Sequence, residues 1–244
     1  MGRQQRWWRR GLAAVALLAV AGCTAVDDTA FDGAQDAKPS ASGSGAGGGQ
    51  AADDTTLPGV PGVPGVPGVE QAREELAGLA VAAHGSMSGY SRAKFPHWAE
   101  KDGCDTREAV LERDGTDVQR DEECRATSGT WVSVYDDVTV TDASRLDIDH
   151  MVPLANAWRS GASTWDADKG KAFANDLTHP QLIAVTASSN RSKGDQGPDE
   201  WQPPAKTYWC TYGRAWTAVK TAYELTVTEA EKDMLAEMLD TCTS

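Results

Sequence analysis

Cations are what this sequence has too few of. Against 36 Asp and Glu it carries 23 Lys and Arg, a formal net charge of −13 with a pI near 4.7. Four of those cations, Arg3, Arg6, Arg9 and Arg10, stand in the first ten residues, which leaves 19 basic against 36 acidic residues, or −17, for the rest. Such a chain has no general electrostatic attraction to polyanions, which excludes a binder that holds nucleic acid by bulk charge. An enzyme that meets phosphate locally, through a bound cation and a few arginines, remains open. There is no C-x-x-C pair, which argues against structural zinc. A serine elbow is missing as well: Gly85-Ser86-Met87-Ser88-Gly89 has the glycines, but Met87 stands where the nucleophile should be.

The N-terminus reads as an export signal. Its arginines precede an apolar segment from Gly11 to Gly22, too short to span a bilayer. Val20-Ala21-Gly22-Cys23 resembles a lipobox, which implies removal of residues 1–22, a lipid on Cys23 and anchorage outside the cytoplasm; secretion without an anchor is the alternative. Export also implies an oxidising compartment. Four cysteines then remain, Cys104, Cys124, Cys210 and Cys242, and they allow three pairings. Cys104–Cys124 with Cys210–Cys242 is favoured because each closes a local loop.

Residues 23–69 read as a disordered tether, rich in Gly, Ser and Ala and ending in four Pro-Gly-Val repeats from Pro58 to Val69. As a Gly-rich coil it spans roughly 35–40 Å on average. Residues 70–244 read as one α+β domain, long enough to bury a core. A helix is expected over Glu70 to Ala83, where Ala72, Leu76, Leu79, Ala80 and Ala83 recur at helical spacing. Asp105 is positioned to cap a short helix to Leu111, and Trp131 to Val140 alternates around Asp136-Asp137 as a hairpin. Leu146 to Val152 reads as a strand stopped by Pro153, and Leu182-Ile183-Ala184-Val185 as a short buried one. Ser188 or Ser189 can cap a helix carrying Asn190 and Lys193, with Gly194 as its stop. Thr228-Glu229-Ala230-Glu231 is a capping box for a last helix.

Chemistry concentrates in two of these pieces. Asp149-His150 puts a carboxylate beside an imidazole whose unperturbed pKa, near 6.5, suits a general base. Some forty residues on, Asn190 offers an amide oxygen, and Arg191 and Lys193 offer phosphate donors. One carboxylate with one amide oxygen can hold a hard divalent cation that keeps its waters, Mg²⁺ or alternatively Mn²⁺. In an ideal strand Asp149 and His150 point to opposite faces, so they can serve one site only if the strand twists or ends there. His84, His97 and His179 have no evident partners and read as surface or loop residues.

Asp149-His150-Met151-Val152-Pro153-Leu154, then Leu182 to Val185, then Ser189-Asn190-Arg191-Ser192-Lys193-Gly194, resembles the ββα-metal core of HNH nucleases. It is most similar to the C-terminal nuclease domain of GmrSD-type restriction endonucleases and to exported relatives carrying that domain alone. Those share a Gly-Cys-Asp-Thr-Arg segment, here Gly103 to Arg107, and a Trp-x-Pro-Pro segment, here Trp201 to Pro204. The resemblance implies a metal-dependent endonuclease with His150 as base and Asp149 and Asn190 as metal ligands. Nucleic acid is then the partner, DNA ahead of RNA, and no protein partner is expected. Arg107, shared with the family, becomes a candidate substrate contact beside Arg191 and Lys193. The middle Asn of the HNH pattern has no clear counterpart: Gln181 or Asn175 stands nearest. A surface module that keeps the fold without catalysis is the alternative.

Overall fold

The computed structural model describes residues 63–101 and 103–243, all within one compact unit spanning 51–244. The export signal, Cys23 and the first part of the tether lie outside the described residues. The fold is α+β. In chain order its elements are α1 (Val69–Gly78), β1 (Glu100–Lys101), β2 (Cys104–Asp105), α2 (Thr106–Asp114), β3 (Gly115–Arg120), β4 (Ala126–Ser133) and β5 (Val138–Val140). There follow β6 (Leu146–His150), α3 (Leu154–Arg159), α4 (Ala167–Ala174), β7 (Leu182–Thr186), α5 (Ala187–Lys193), α6 (Trp209–Ala222) and α7 (Glu229–Asp240). Among the described residues no helix is long and apolar enough to cross a membrane.

The centre is a two-stranded antiparallel ribbon, β6 against β7, with Leu146 opposite Thr186 and His150 opposite Leu182. Its period-two pattern feeds two cores, because successive side chains leave a strand on opposite faces. Leu146, Ile148, Leu182 and Ala184 pack with Val110, Leu111, Trp131 and Val140. Ile183 and Val185 pack on the other side with Tyr135, Tyr212, Trp216 and Leu235. All five residues of β7 are buried, as expected for a strand covered on both faces. α5 follows β7 directly, which completes a strand–strand–helix unit.

Local chemistry accounts for the boundaries. The Asp105 carboxylate accepts from Glu108 N at 2.8 Å and starts α2. Thr228 and Glu231 form both halves of the capping box of α7. Two expectations shift. The first helix ends at Gly78 instead of Ala83, because Leu79 turns extended and the chain runs on to bridge Val81 to Val227. The cap of α5 is Thr186, whose hydroxyl accepts from Ser189 N at 3.3 Å, ahead of either serine.

The tether also ends earlier than residue 69. Val63 and Val66 pack on the main core, and Arg214 Nε donates to Pro67 O at 2.6 Å. Gly65 has φ +74°, and a Cβ there would meet Thr178 O at 2.7 Å, so glycine is required on two counts. The last two Pro-Gly-Val repeats are therefore part of the folded unit.

Both disulfides form as the favoured pairing. Cys104–Cys124 has Cα atoms 5.5 Å apart across 20 residues, and Cys210–Cys242 has them 4.9 Å apart across 32. The second joins the start of α6 to the end of α7. Loop closure of these lengths stabilises by about 3–4 kcal/mol each in the chain-entropy account. Replacing Cys210 and Cys242 by Ser should therefore lower the melting temperature by roughly 6–12 °C, measured by calorimetry. A shift under about 2 °C would show that the α6–α7 hairpin holds without its clasp.

Candidate active site

β6 delivers Asp149 and His150 in its last two positions. Alternation is unbroken to the end: Asp149 pairs with Ile183 and His150 with Leu182, and the strand then stops. Among the described residues β6 pairs only with β7, which leaves its other edge without a strand partner. A cleft of about 280 Å³ lies at the strand's end, lined by Ile148, Asp149 and His150 in succession and by Asn190, Arg191 and Arg92. Side chains of both faces can meet where a strand edge ends. This is how neighbours of opposite orientation come to share one cavity.

Asp149 is almost wholly buried, on the face that carries the aromatic core. Its Oδ2 accepts from Tyr135 Oη at 2.6 Å and from Lys193 Nζ at 2.5 Å. Burial pushes the Asp149 carboxyl up and the Lys193 ammonium down, and each charge opposes that effect on the other. Lys193 is completely buried and spends its other donors on the carbonyls of His150, at 2.8 Å, and Met151, at 3.0 Å. The expectation that Lys193 meets substrate phosphate is therefore corrected. A lysine that closes a short helix on the inner face must end in the core, and here it becomes the counter-ion of the strand carboxylate.

His150 turns to the other face. Its Nε2 lies 3.0 Å from Ala174 O, and a carbonyl only accepts, so Nε2 carries the proton and Nδ1 keeps its lone pair. Burial lowers its pKa to about 3, with the positive charges of Arg92 and Lys193 adding to the effect. The imidazole is thus neutral near pH 7. Trp98, held at φ 60°, places its ring 6.0 Å from that of His150.

The loop after His150 is braced by Gln181. Its Nε2 donates to Val152 O at 3.0 Å and its Oε1 accepts from Val152 N at 3.1 Å. Asn175 works elsewhere: its Oδ1 accepts from Ala99 N, and its Nδ2 donates to Pro96 O, tying the 96–106 segment to α4. Of the two, Gln181 occupies the bracing position.

Asn190 lines the cleft from α5. Its Nδ2 donates to Asp147 Oδ2 at 3.1 Å, and a carboxylate can only accept, so the amide oxygen is the atom left to ligate. Asp147 thereby orients Asn190, a role that no local pattern announces. Arg191 is 76% exposed, with Nε 3.6 Å from Asp147. Arg107 is not brought here: its guanidinium is engaged by Glu108 and by Ala143 O, away from the cleft. Tyr135 and Arg92 have no sequence signal of their own. His97 is not idle either, since Arg92 donates to it.

Among the described residues no cluster of three or more His, Cys, Asp or Glu side chains could hold a metal. Asp149 and Asn190 both line the cleft, and a carboxylate with an amide oxygen is the sparse donor set that suits a hard divalent ion retaining its waters. The donor chemistry therefore fits such an ion.

The buried pair can be tested without activity. Lys193→Met leaves Asp149 buried and unpaired and should cost about 3–5 kcal/mol in chemical denaturation. Adding Asp149→Asn to it should cost much less than the sum of the two single changes. Strict additivity would show that the two groups do not support one another.

Residues 105–238, more than half of the chain, match the family described as GmrSD restriction endonucleases, C-terminal domain. The chain is also similar to a protein of Arthroderma benhamiae named "Uncharacterized secreted protein", 58% identical over 172 residues that span 70% of this chain and 84% of the relative. No solved structure matches. The chain belongs to the family of GmrSD restriction endonuclease C-terminal domains.

Proposed function

We propose that this protein is an extracytoplasmic, metal-dependent endonuclease of the HNH type, acting on the phosphodiester bonds of DNA, with RNA as the second substrate to test. The observation that carries the reading is the imidazole of His150. Its proton is fixed on Nε2 by Ala174 O, which leaves the Nδ1 lone pair, and the residue lines the cleft shared with Asp149 and Asn190.

His150 Nδ1 would take a proton from the attacking water, a step that needs its basicity raised in the substrate complex above the value that burial imposes here. Ala174 O holds the ring and accepts from Nε2 throughout, which steadies the imidazolium once formed. Asp149 and Asn190 would hold a divalent ion, Mg²⁺ or Mn²⁺, which when bound neutralises charge on the phosphate and the leaving oxygen. Lys193 and Tyr135 keep the Asp149 side chain in one orientation. Arg191, exposed at the rim, is placed to meet a phosphate oxygen. Attack by water with departure of the 3′ oxygen leaves a 5′-phosphate. The export signal and the secreted relative support action outside the cytoplasm. Lipidation of Cys23 is part of the same proposal, checked by mass spectrometry of the mature N-terminus.

The decisive experiment incubates the purified protein with supercoiled plasmid and with RNA, in Mg²⁺ or Mn²⁺. Nicking and linearisation are expected, abolished by EDTA and reduced at least about a hundredfold by His150→Ala. Cleavage that survives both would sink the proposal. Binding without cleavage under any divalent ion would mark a module that keeps the fold without the reaction.

A further inference from the structure

The cleft has a wall that the family match does not include. The match begins at residue 105, yet Tyr90 and Arg92 line the same cavity as Asn190 and Arg191. That wall is built, not loose. Phe95 is buried and packs against Tyr90, Trp158 and Phe173, with ring centroids 6.1–6.4 Å apart. Arg92 opens a single 3₁₀ turn capped by Ser91, whose Oγ accepts from Ala93 N at 3.2 Å. α4 presses against the turn so closely that a Cβ on Gly170 would stand 2.6 Å from Lys94 O.

The Arg92 side chain is oriented by a two-step relay. His97 Nδ1 lies 3.0 Å from Phe95 O, and the carbonyl can only accept, so Nδ1 carries the proton. Nε2 is then an acceptor, and Arg92 Nε donates to it at 3.2 Å. One edge of the guanidinium is thereby fixed, and its terminal nitrogens remain for another partner. Among the described residues Arg92 has no carboxylate within ion-pair distance, in a chain where acids outnumber bases 36 to 23. An arginine held by a neutral acceptor at the mouth of a catalytic cleft suits a phosphate, which takes two parallel N–H donors.

We infer that Arg92, oriented by His97, binds a backbone phosphate of the nucleic acid, so that Arg92 and Arg191 both hold the strand at the one cleft they line. This rests on the nuclease reading and adds a substrate contact supplied from outside the matched region. Arg92 is the binding residue and His97 a positioning residue acting through it. The contact is to backbone, so it sets affinity and register without reading sequence.

The test uses the full chain carrying His150→Ala, which keeps substrate intact, and fluorescence anisotropy with labelled duplex and single-stranded oligonucleotides across a salt series. Arg92→Ala should weaken binding roughly tenfold, equally for unrelated sequences. It should also reduce the slope of log affinity against log salt by about 0.9 for duplex or about 0.7 for single strand. Arg92→Lys should restore most of the slope and only part of the affinity, because it keeps the charge and loses the fork. His97→Ala should weaken binding less than Arg92→Ala and add nothing once Arg92 is gone. An unchanged slope and affinity in Arg92→Ala overturns the inference while His150-dependent cleavage by the otherwise native chain still stands. Absence of binding to either strand form by every variant overturns both.

Discussion

Everything near the cleft depends on one buried contact. Asp149 sits in an aromatic core where an isolated carboxylate would be expelled or neutralised, and Lys193 is the group that lets it stay charged there. The same ammonium bonds the carbonyls of His150 and Met151. Three hydrogen bonds from one nitrogen therefore tie the end of β6 to the end of α5, and with it the carboxylate to the residue bearing the imidazole. Tyr135 adds a second donor to the same oxygen of Asp149. A site that must hold its groups to within a fraction of an ångström gains more from such a clamp than from loop packing.

The two faces of β6 divide the work. Asp149 faces the aromatic core and its counter-ion; His150 faces Trp98 and the carbonyl of Ala174. Each environment sets one property. Burial against Lys193 gives the carboxylate a fixed orientation, and burial against a carbonyl gives the imidazole a fixed tautomer. The strand ends at His150, and Asp149 and His150 both line one cavity there. In a chain with an overall negative charge, two arginines, Arg92 and Arg191, line the cavity itself.

Much of the fold was legible because its signals are local. The alternation of Leu146 to His150, the apolar run Leu182 to Val185, the Asp105 cap and the Thr228–Glu231 capping box depend on neighbours a few residues away. Each appears in its place, with the first strand, expected to reach Val152, ending at His150. The pairing of Cys104 with Cys124 and of Cys210 with Cys242 follows from loop length and is observed. Features that rest on distant partners were harder. The first helix stops at Gly78 because Val81 is drawn into a bridge with Val227, a contact across 146 positions that no helical periodicity encodes. The repeats ending at Val69 read as spacer, yet Val63 and Val66 find a core to pack on.

The candidate site divides along the same line. The sequence by itself determined which residue types were present for the chemistry: a carboxylate and an imidazole at a strand end, and an amide on the following helix. Their spacing and chemical types are readable without any fold. Only the tertiary structure decided what each of them touches. It turned Lys193 from a surface cation into a buried counter-ion, sent Arg107 to Glu108, gave Gln181 the bracing role over Asn175, and brought Arg92 to the cleft with His97 behind it as an acceptor. The physical reason is that a side chain's charge state, donors and reach are set by whichever groups the folded chain places within a few ångströms of it. Those groups come from segments that the linear order does not put side by side.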